Sequence, residues 1–203
     1  MNYSTEQEPF WAEKFGNEYI ERNQDLASNI PFLSEVLNRT TNVKSVIEFG
    51  CNIGLNLKVL RLLLPKSKLT GVEINKKACD HLEKWGGANV INDSVFRYDE
   101  KNKYDMSMVK GVLIHINPDM LDIVYEKLYN SSNRYILIAE YYNPTPVSIS
   151  YRGHSDRLFK RDFAGEMLDK YDDLELLDYG FLYHRDKYFF QDDVSWFLLE
   201  KRI

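Results

Sequence analysis

The 203-residue chain is poor in the residues that mark specialised scaffolds, with two cysteines, six prolines and ten glycines. The two cysteines, Cys51 and Cys79, have no CxxC spacing, which argues against a disulfide framework and against a thiolate metal site. Proline and glycine are too sparse to form a linker between domains, and neither an internal repeat nor a low-complexity tract is present. No apolar run reaches the ~18–20 residues that a bilayer requires. The first thirty residues are studded with Glu, Lys, Asn and Gln, unlike a signal peptide. Positive charge is not in excess either. The 26 basic and 31 acidic residues give a formal net charge of −5, so the field that draws proteins to nucleic-acid phosphates is missing. These absences predict a soluble, cytoplasmic protein that works on a small molecule, with no nucleic acid or membrane as partner and no metal. They leave its oligomeric state open.

What is present is enough to fold. Hydrophobic residues make up 44% of the chain and aromatics 14%, which supplies the apolar surface needed to offset chain entropy in one domain. Residues 1–42 read as an N-terminal helical extension, with Phe10, Trp11, Phe15, Tyr19 and Ile20, then Ile30, Phe32, Leu33, Val36 and Leu37, at roughly helical spacing from Glu6 to Arg39. Residues 43–203 read as an α/β domain. Short apolar runs at Ser45–Phe49, Lys68–Glu73, Asn89–Ile91, Tyr104–Val109 and Tyr135–Tyr141 alternate with amphipathic segments at Leu55–Leu64, Lys76–Trp85 and Pro118–Tyr129. Strands alternating with helices predict a parallel sheet with helices on its faces. Asn75 and Asn117-Pro118 are suited to begin helices, since Asn caps free N–H groups and proline tolerates the first helical position. Further on, Tyr142–Arg161 reads as a polar, aromatic-rich loop and Phe163–Tyr171 as a helix. LELLDYGFL and VSWFLLEK, joined by about a dozen residues, read as an antiparallel hairpin closing the sheet.

The chemistry is concentrated at VIEFGCNIG, Val46 to Gly54, where a buried strand turns directly into the helix LNLKVLRLLL. Gly50, Asn52 and Gly54 are types that admit positive φ or close backbone approach, as a ligand lying against a strand-to-helix turn requires. The order Glu48-x-Gly50-x-Asn52-x-Gly54 is neither GxGxxG nor a P-loop. A second acid, Glu73, ends the next strand, and one helix and one return strand bring it beside the glycine turn, where it could accept two ribose hydroxyls. Asn92-Asp93-Ser94 follows the third strand with groups able to pair with an adenine edge, and Lys110-Gly111 ends the fourth, with His115 just beyond. Read singly, these could be ordinary turns and solvated carboxylates, and the aromatics of the extension could serve packing alone.

Together, these residues resemble the class I S-adenosylmethionine-dependent methyltransferases from about Ser45 to the C-terminus. The resemblance implies a seven-stranded Rossmann-like methyltransferase sheet with an antiparallel last strand. It also implies S-adenosyl-L-methionine as cofactor, leaving S-adenosyl-L-homocysteine as product. The methionine part would lie on Glu48, Gly50, Cys51, Asn52 and Gly54, the ribose on Glu73 with Ile74, and the adenine on Asp93 and Ser94, with Lys110 also on the cofactor. Asn52 stands where the family usually has a second glycine, and Asn tolerates the left-handed region. A sulfonium with an α-ammonium and no pyrophosphate suits carboxylates and aromatic faces. In methylases with such an extension the first helix closes over the cofactor, which would put Trp11 and Tyr19 beside the sulfonium and Arg22 near the carboxylate.

FWAEKFGNEYIERN, GVLIHINPD and YRGHSDRLFKRDFAGEML through DYGFLYHRD are similar to the pseudaminic acid biosynthesis-associated methylases. That group accompanies bacterial genes for nonulosonic sugars and surface glycans, so the resemblance implies a sugar acceptor, free, nucleotide-activated or glycan-linked. His115 and His154 are then candidate bases for a sugar hydroxyl. Glu140, Tyr151, Arg152, Arg157 and His184 are candidate substrate contacts, the arginines because their planar fork suits a carboxylate. Methylation of a protein or nucleic acid, and a non-catalytic subunit that binds S-adenosylmethionine, are the competing readings.

Overall fold

The structure, a computed structural model, describes residues 3–22, 24–151 and 154–202, and for residues 154–156 the backbone alone. The chain begins with three helices, α1 (Gln7–Ala12), α2 (Lys14–Arg22) and α3 (Asn29–Asn38). The alternating region then runs β1 (Ser45–Phe49), α4 (Leu55–Leu63), β2 (Lys68–Glu73), α5 (Lys76–Trp85), β3 (Asn89–Asn92) and β4 (Tyr104–Lys110). Two single 3-10 turns, Leu113–His115 and Pro118–Met120, lead to α6 (Leu121–Ser131) and β5 (Ser132–Glu140). The chain ends with β6 (Val147–Tyr151), β7 (His154–Lys160), α7 (Phe163–Lys170), β8 (Leu174–Leu182) and β9 (Val194–Lys201). Among the described residues no helix is long and apolar enough to cross a membrane.

Seven strands form one sheet in the order β3-β2-β1-β4-β5-β9-β8. The first five are parallel, and β9 runs antiparallel between β5 and β8. This is the α/β architecture with an antiparallel last strand that the sequence predicts. Both sheet faces are covered, so the central strands are apolar on both sides. Side-chain alternation sends Val46, Met106, Leu137 and Trp196 toward a core shared with Phe32 and Val36 of α3 and Leu57 and Leu60 of α4. Ile47, Val109, Ile136 and Leu199 face the other way, toward Val124 and Leu128 of α6 and Met167 of α7. Asn75 caps α5 by accepting from Ala78 N at 2.9 Å, and Asn117 caps the turn before α6 by accepting from Asp119 N at 3.1 Å.

Two sequence readings change. The helical stretch Glu6–Arg39 is three helices, interrupted at Glu13 and again over residues 24–28. The expected loop Tyr142–Arg161 contains a two-stranded antiparallel ribbon pairing Val147 with Lys160 and Tyr151 with His154. VSISY carries the period-two alternation of a strand, and its surroundings of Asn, Pro and Thr masked it. Leu158 and Phe159 of β7 are buried, which anchors the ribbon.

Candidate functional site

The carboxyl ends of the parallel strands open onto a cavity of about 630 Å³, roofed by α1 and α2. That volume falls within the ~300–1,000 Å³ of small-molecule sites. Its place, outside the strand ends where the topology reverses about β1, is where open α/β sheets bind ligands.

The turn after β1 forms its floor. Gly50 and Asn52 both have positive φ, +67° and +48°. A Cβ on Gly50 would lie 2.4 Å from Val112 Cγ2, so backbone angle and packing both require glycine there. Glu48 reaches the floor from β1 and is buried, its Oε1 accepting from Asn56 Nδ2 at 2.6 Å. Oε2 has no hydrogen-bond partner among the described residues. Burial pushes the Glu48 carboxyl up from 4.5 to about 8, opposed by the Asn56 hydrogen bond and the Lys110 ammonium. Lys110, at the end of β4, is itself lowered by desolvation, opposed by Glu48, Glu140 and Asp192. The floor therefore carries a buried carboxyl with one oxygen unpartnered among the described residues, which a cationic group would satisfy once the proton is released.

At the end of β2, Glu73 accepts from Asn52 N at 2.8 Å and from Asn75 N at 2.7 Å. Its carboxylate thus fixes the glycine turn against the start of α5. Asn75 extends this link upward: its Nδ2 donates to the carbonyls of Trp11 and Ala12 at 3.1 and 3.3 Å and to Asn17 Oδ1 at 3.0 Å. One asparagine both starts α5 and holds the roof. A second tie crosses at β3, where Arg97 Nε donates to Asp93 Oδ1 at 2.8 Å and Nη1 lies 3.7 Å from Glu8 Oε1 on α1. Under the roof, the Trp11 ring meets Tyr19 edge-on at 5.4 Å and lies 4.5 Å from the His115 ring. Trp11 Nε1 is buried without a hydrogen-bond partner among the described residues.

No family model matches this sequence, and no curated protein matches it. Solved structures do match in shape. Magnesium protoporphyrin IX methyltransferase from Synechocystis, with bound S-adenosylmethionine, has a TM-score of 0.69 at 12% identity, covering 100% of both chains. The 1,6-didemethyltoxoflavin-N1-methyltransferase from Burkholderia thailandensis, with bound S-adenosylhomocysteine, has a TM-score of 0.71 at 13% identity, covering 93% of this chain and 86% of that one. A methyltransferase from Clostridium acetobutylicum scores 0.66 at 12% identity, with 92% and 97% covered. The fold is that of the class I methyltransferases.

Within this methyltransferase fold, most of the sequence-predicted residues meet at one cavity. Trp11, Tyr19 and Arg22 line it from the roof; Glu48, Gly50, Cys51 and Asn52 from the first turn; Glu73 and Ile74 from the second. Asp93, Ser94, Lys110, His115 and Tyr151 complete the set. Others are placed elsewhere. Gly54 is the N-cap of α4 at φ +73°, where a Cβ would strike Leu82 at 2.3 Å, so it positions the turn from outside the lining. Glu140 is not the substrate contact that the sequence suggests: its buried carboxylate accepts from Val112 N and Leu113 N, both at 2.9 Å, and so holds the 112–115 turn. Burial raises it to about 7. Arg157 lies outside the lining, with its Nη2 3.6 Å from Glu6 Oε2. His184 is on the exposed β8–β9 connection, hydrogen-bonded to Asp193. Arg152, and the side chain of His154, lie outside the described residues.

His115 also differs from its sequence reading. Its Nδ1 is 2.5 Å from the Arg157 carbonyl, which assigns the proton to Nδ1 and leaves Nε2 as the acceptor. Burial lowers its pKa to about 4, so it is neutral at pH 7 but a weaker base than an ordinary histidine. Sequence reasoning missed Glu8, Asn56, Tyr141 and Asp192 as cavity residues and read Asn75 only as a cap. Asn56, the second residue of the helix behind the glycine turn, is the one of these that spacing could have found.

Proposed function

We propose that this protein is an S-adenosylmethionine-dependent methyltransferase for a small molecule. The observation that carries the reading is the unpartnered Glu48 oxygen beneath a left-handed backbone turn, with a second carboxylate, Glu73, at the next strand end. An α-ammonium satisfies the Glu48 oxygen, and a positive ligand is the kind that two buried acids favour. The donor set fits this cofactor better than a dinucleotide, whose pyrophosphate would meet Glu48 and Glu73 at the turn. When bound, S-adenosylmethionine supplies a methyl group already activated on a sulfonium.

The strand order then lays the ligand along the sheet. Asp93 and Ser94 after β3 hold the adenine, Glu73 after β2 the ribose, and the turn after β1 the methionine part. Arg22 and Lys110 are the cations for its carboxylate, and Trp11 and Tyr19 border the reacting end. The roof of α1 and α2, held by Asn75 and by the Asp93–Arg97–Glu8 chain, excludes water, and this alignment and desolvation are the protein's main contribution to an in-line transfer.

The acceptor is a separate matter, because the neighbours' names include a porphyrin and a toxoflavin precursor, which share little chemistry. The reading we favour is a bacterial sugar of the nonulosonic, pseudaminic acid type, free or attached to a nucleotide or glycan. It rests on the similarity of the flanking sequences. Arg157 already faces one carboxylate, that of Glu6, whose side chain is 86% exposed and displaceable. Titration calorimetry with S-adenosylmethionine, followed by S-adenosylhomocysteine release over a panel of such sugars, tests the activity. Mass spectrometry of the surface glycan from a strain lacking the gene tests the acceptor, with loss of a methyl group as the expected result and an unchanged glycan against it.

A further inference from the structure

The two edges of the sheet are finished differently. β3, at one end of the strand order, is four residues long and begins and ends with asparagine, the short polar kind of edge that resists further pairing. β8, at the other end, has nine residues with no proline, lysine or arginine, and its outer edge pairs with no described strand. Alternate N–H and C=O groups of such a strand point away from the sheet. Its two acids are already ion-paired within the chain: Arg202 Nε lies 2.9 Å from Glu175 Oε1, and Arg39 Nε 2.7 Å from Asp178 Oδ2. A register shift makes a bulge at Leu177, toward the start of the strand, and leaves residues 178–182 regularly paired with β9. One face of this edge is aromatic. Tyr179 and Phe181, opposite Phe197 and Ser195 of β9, are 66% and 59% exposed, and Leu176, on the same face opposite Leu199, is 44% exposed. Tyr179 stacks on Phe197 with ring centroids 6.4 Å apart, Tyr142 meets the Phe197 ring at 5.9 Å, and Tyr183 extends the row 6.1 Å from Phe181. The same face is covered by α6 and α7 where Leu174 and Leu199 are buried, and is left open at its aromatic end.

We propose that β8 is a dimerisation edge, to which a second copy of this chain adds its own β8 antiparallel across a two-fold axis, joining the two sheets into one. A long, exposed, apolar edge without blunting charges is a template for another strand. A two-fold axis crossing β8 generates an antiparallel partner of the same sequence, whose carbonyls meet the outward N–H groups. The same operation sets the two aromatic rows side by side on one face, at the ~4.5–5.5 Å separation of cross-strand pairs. The acids of the strand do not oppose it, because each is neutralised inside its own chain. The area also suits a copy of this chain. An aromatic side chain offers ~150–250 Å² for burial, so the exposed parts of Tyr179, Phe181 and Tyr183, with Leu176 and Leu177, amount to about 500 Å² of the ~800 Å² that each partner brings to a stable interface. The backbone edge and Tyr142 add to that. The pairing is independent of what the cavity binds.

Sedimentation equilibrium of the purified full chain, from about 1 to about 100 μM, reads the association directly. The expected mass at the upper end is twice the 24.0 kDa of one chain. Tyr179→Lys and Phe181→Lys each put a like charge on both copies at an exposed position, and each should weaken the dimer about tenfold or more. Leu62→Lys, at a 66% exposed apolar position on α4 away from this edge, should leave it unchanged. Melting curves check that the variants fold. Amide hydrogen exchange on the wild type gives a readout that needs no variant: exchange over residues 178–182 should be slow in the dimer and accelerate on dilution, while exchange in β1 and β4 stays constant. A chain that sediments as a monomer at the highest concentration would overturn the proposal. So would a dimer that tolerates both β8 lysines, or one whose β8 exchange ignores dilution.

Discussion

Replacing Glu48 by glutamine tests the electrostatics of the cavity floor without changing its shape. The side chain is 1% exposed, and its carboxyl titrates near 8 in the folded protein against 4.5 ordinarily. Between those values the folded state holds a proton that the unfolded chain has released, so stability falls as pH rises through this window. The slope is about 1.4 kcal/mol per pH unit, which amounts to about 3 kcal/mol by pH 7. Glutamine mimics the protonated acid and keeps an oxygen for Asn56 Nδ2, but it cannot ionise. Urea unfolding at several pH values should therefore find the two proteins close near pH 4.5 and the variant more stable by a few kcal/mol at neutral pH and above. The same ionisation couples to the ligand. At pH 7 the acid is about nine-tenths protonated, so binding a cation that favours the carboxylate releases close to one proton. Calorimetry in buffers of different ionisation enthalpy should detect that proton in the wild type and lose it in Glu48→Gln. A stability difference that is the same at every pH, with no buffer dependence of the binding heat, would refute the assignment.

Glu73→Ala strips acceptors from Asn52 N and Asn75 N and should cost ~1.5–3 kcal/mol in cofactor affinity, read by calorimetry, with a lower melting temperature as well. Unchanged affinity would remove Glu73 from the site. Gly50→Ala forces a Cβ onto Val112 and strains a left-handed backbone, so chemical denaturation should record a loss of ~1–3 kcal/mol and cofactor binding should weaken. Asn75→Ala removes a helix cap worth ~0.5–2 kcal/mol and the tie to Trp11 and Ala12, so amide hydrogen exchange over residues 7–22 should accelerate more than exchange over the sheet.

The sheet was legible because its central strands are short apolar runs separated by well-marked helices, and β1, β2, β8 and β9 have the predicted ends. The glycine turn was legible for the same reason: Gly50, Asn52 and Gly54 are tolerated where φ is positive, and all three have it. Long-range pairings were not. Asn75 gave a local signal, the cap, but its bonds to Trp11 and Asn17 span about sixty residues, and no periodicity encodes them. Glu140 looked like a ligand group at a strand end, the commonest place for one, and only the folded turn reveals the N–H groups that use its carboxylate. His115 lines the cavity, but its basicity depends on burial against Trp11 and Tyr151, which a sequence does not state. Tyr141 and Asp192 meet through the pairing of β5 with β9, a register that local patterns leave undetermined.

The most direct measurement is titration of the purified protein with S-adenosylmethionine and, in a parallel cell, with a nicotinamide dinucleotide. The account predicts saturable one-to-one binding of the sulfonium nucleoside, weakened by Glu73→Ala, and no heat from the dinucleotide. A folded sample that ignores S-adenosylmethionine at millimolar concentration, or takes up the dinucleotide in its place, would contradict it.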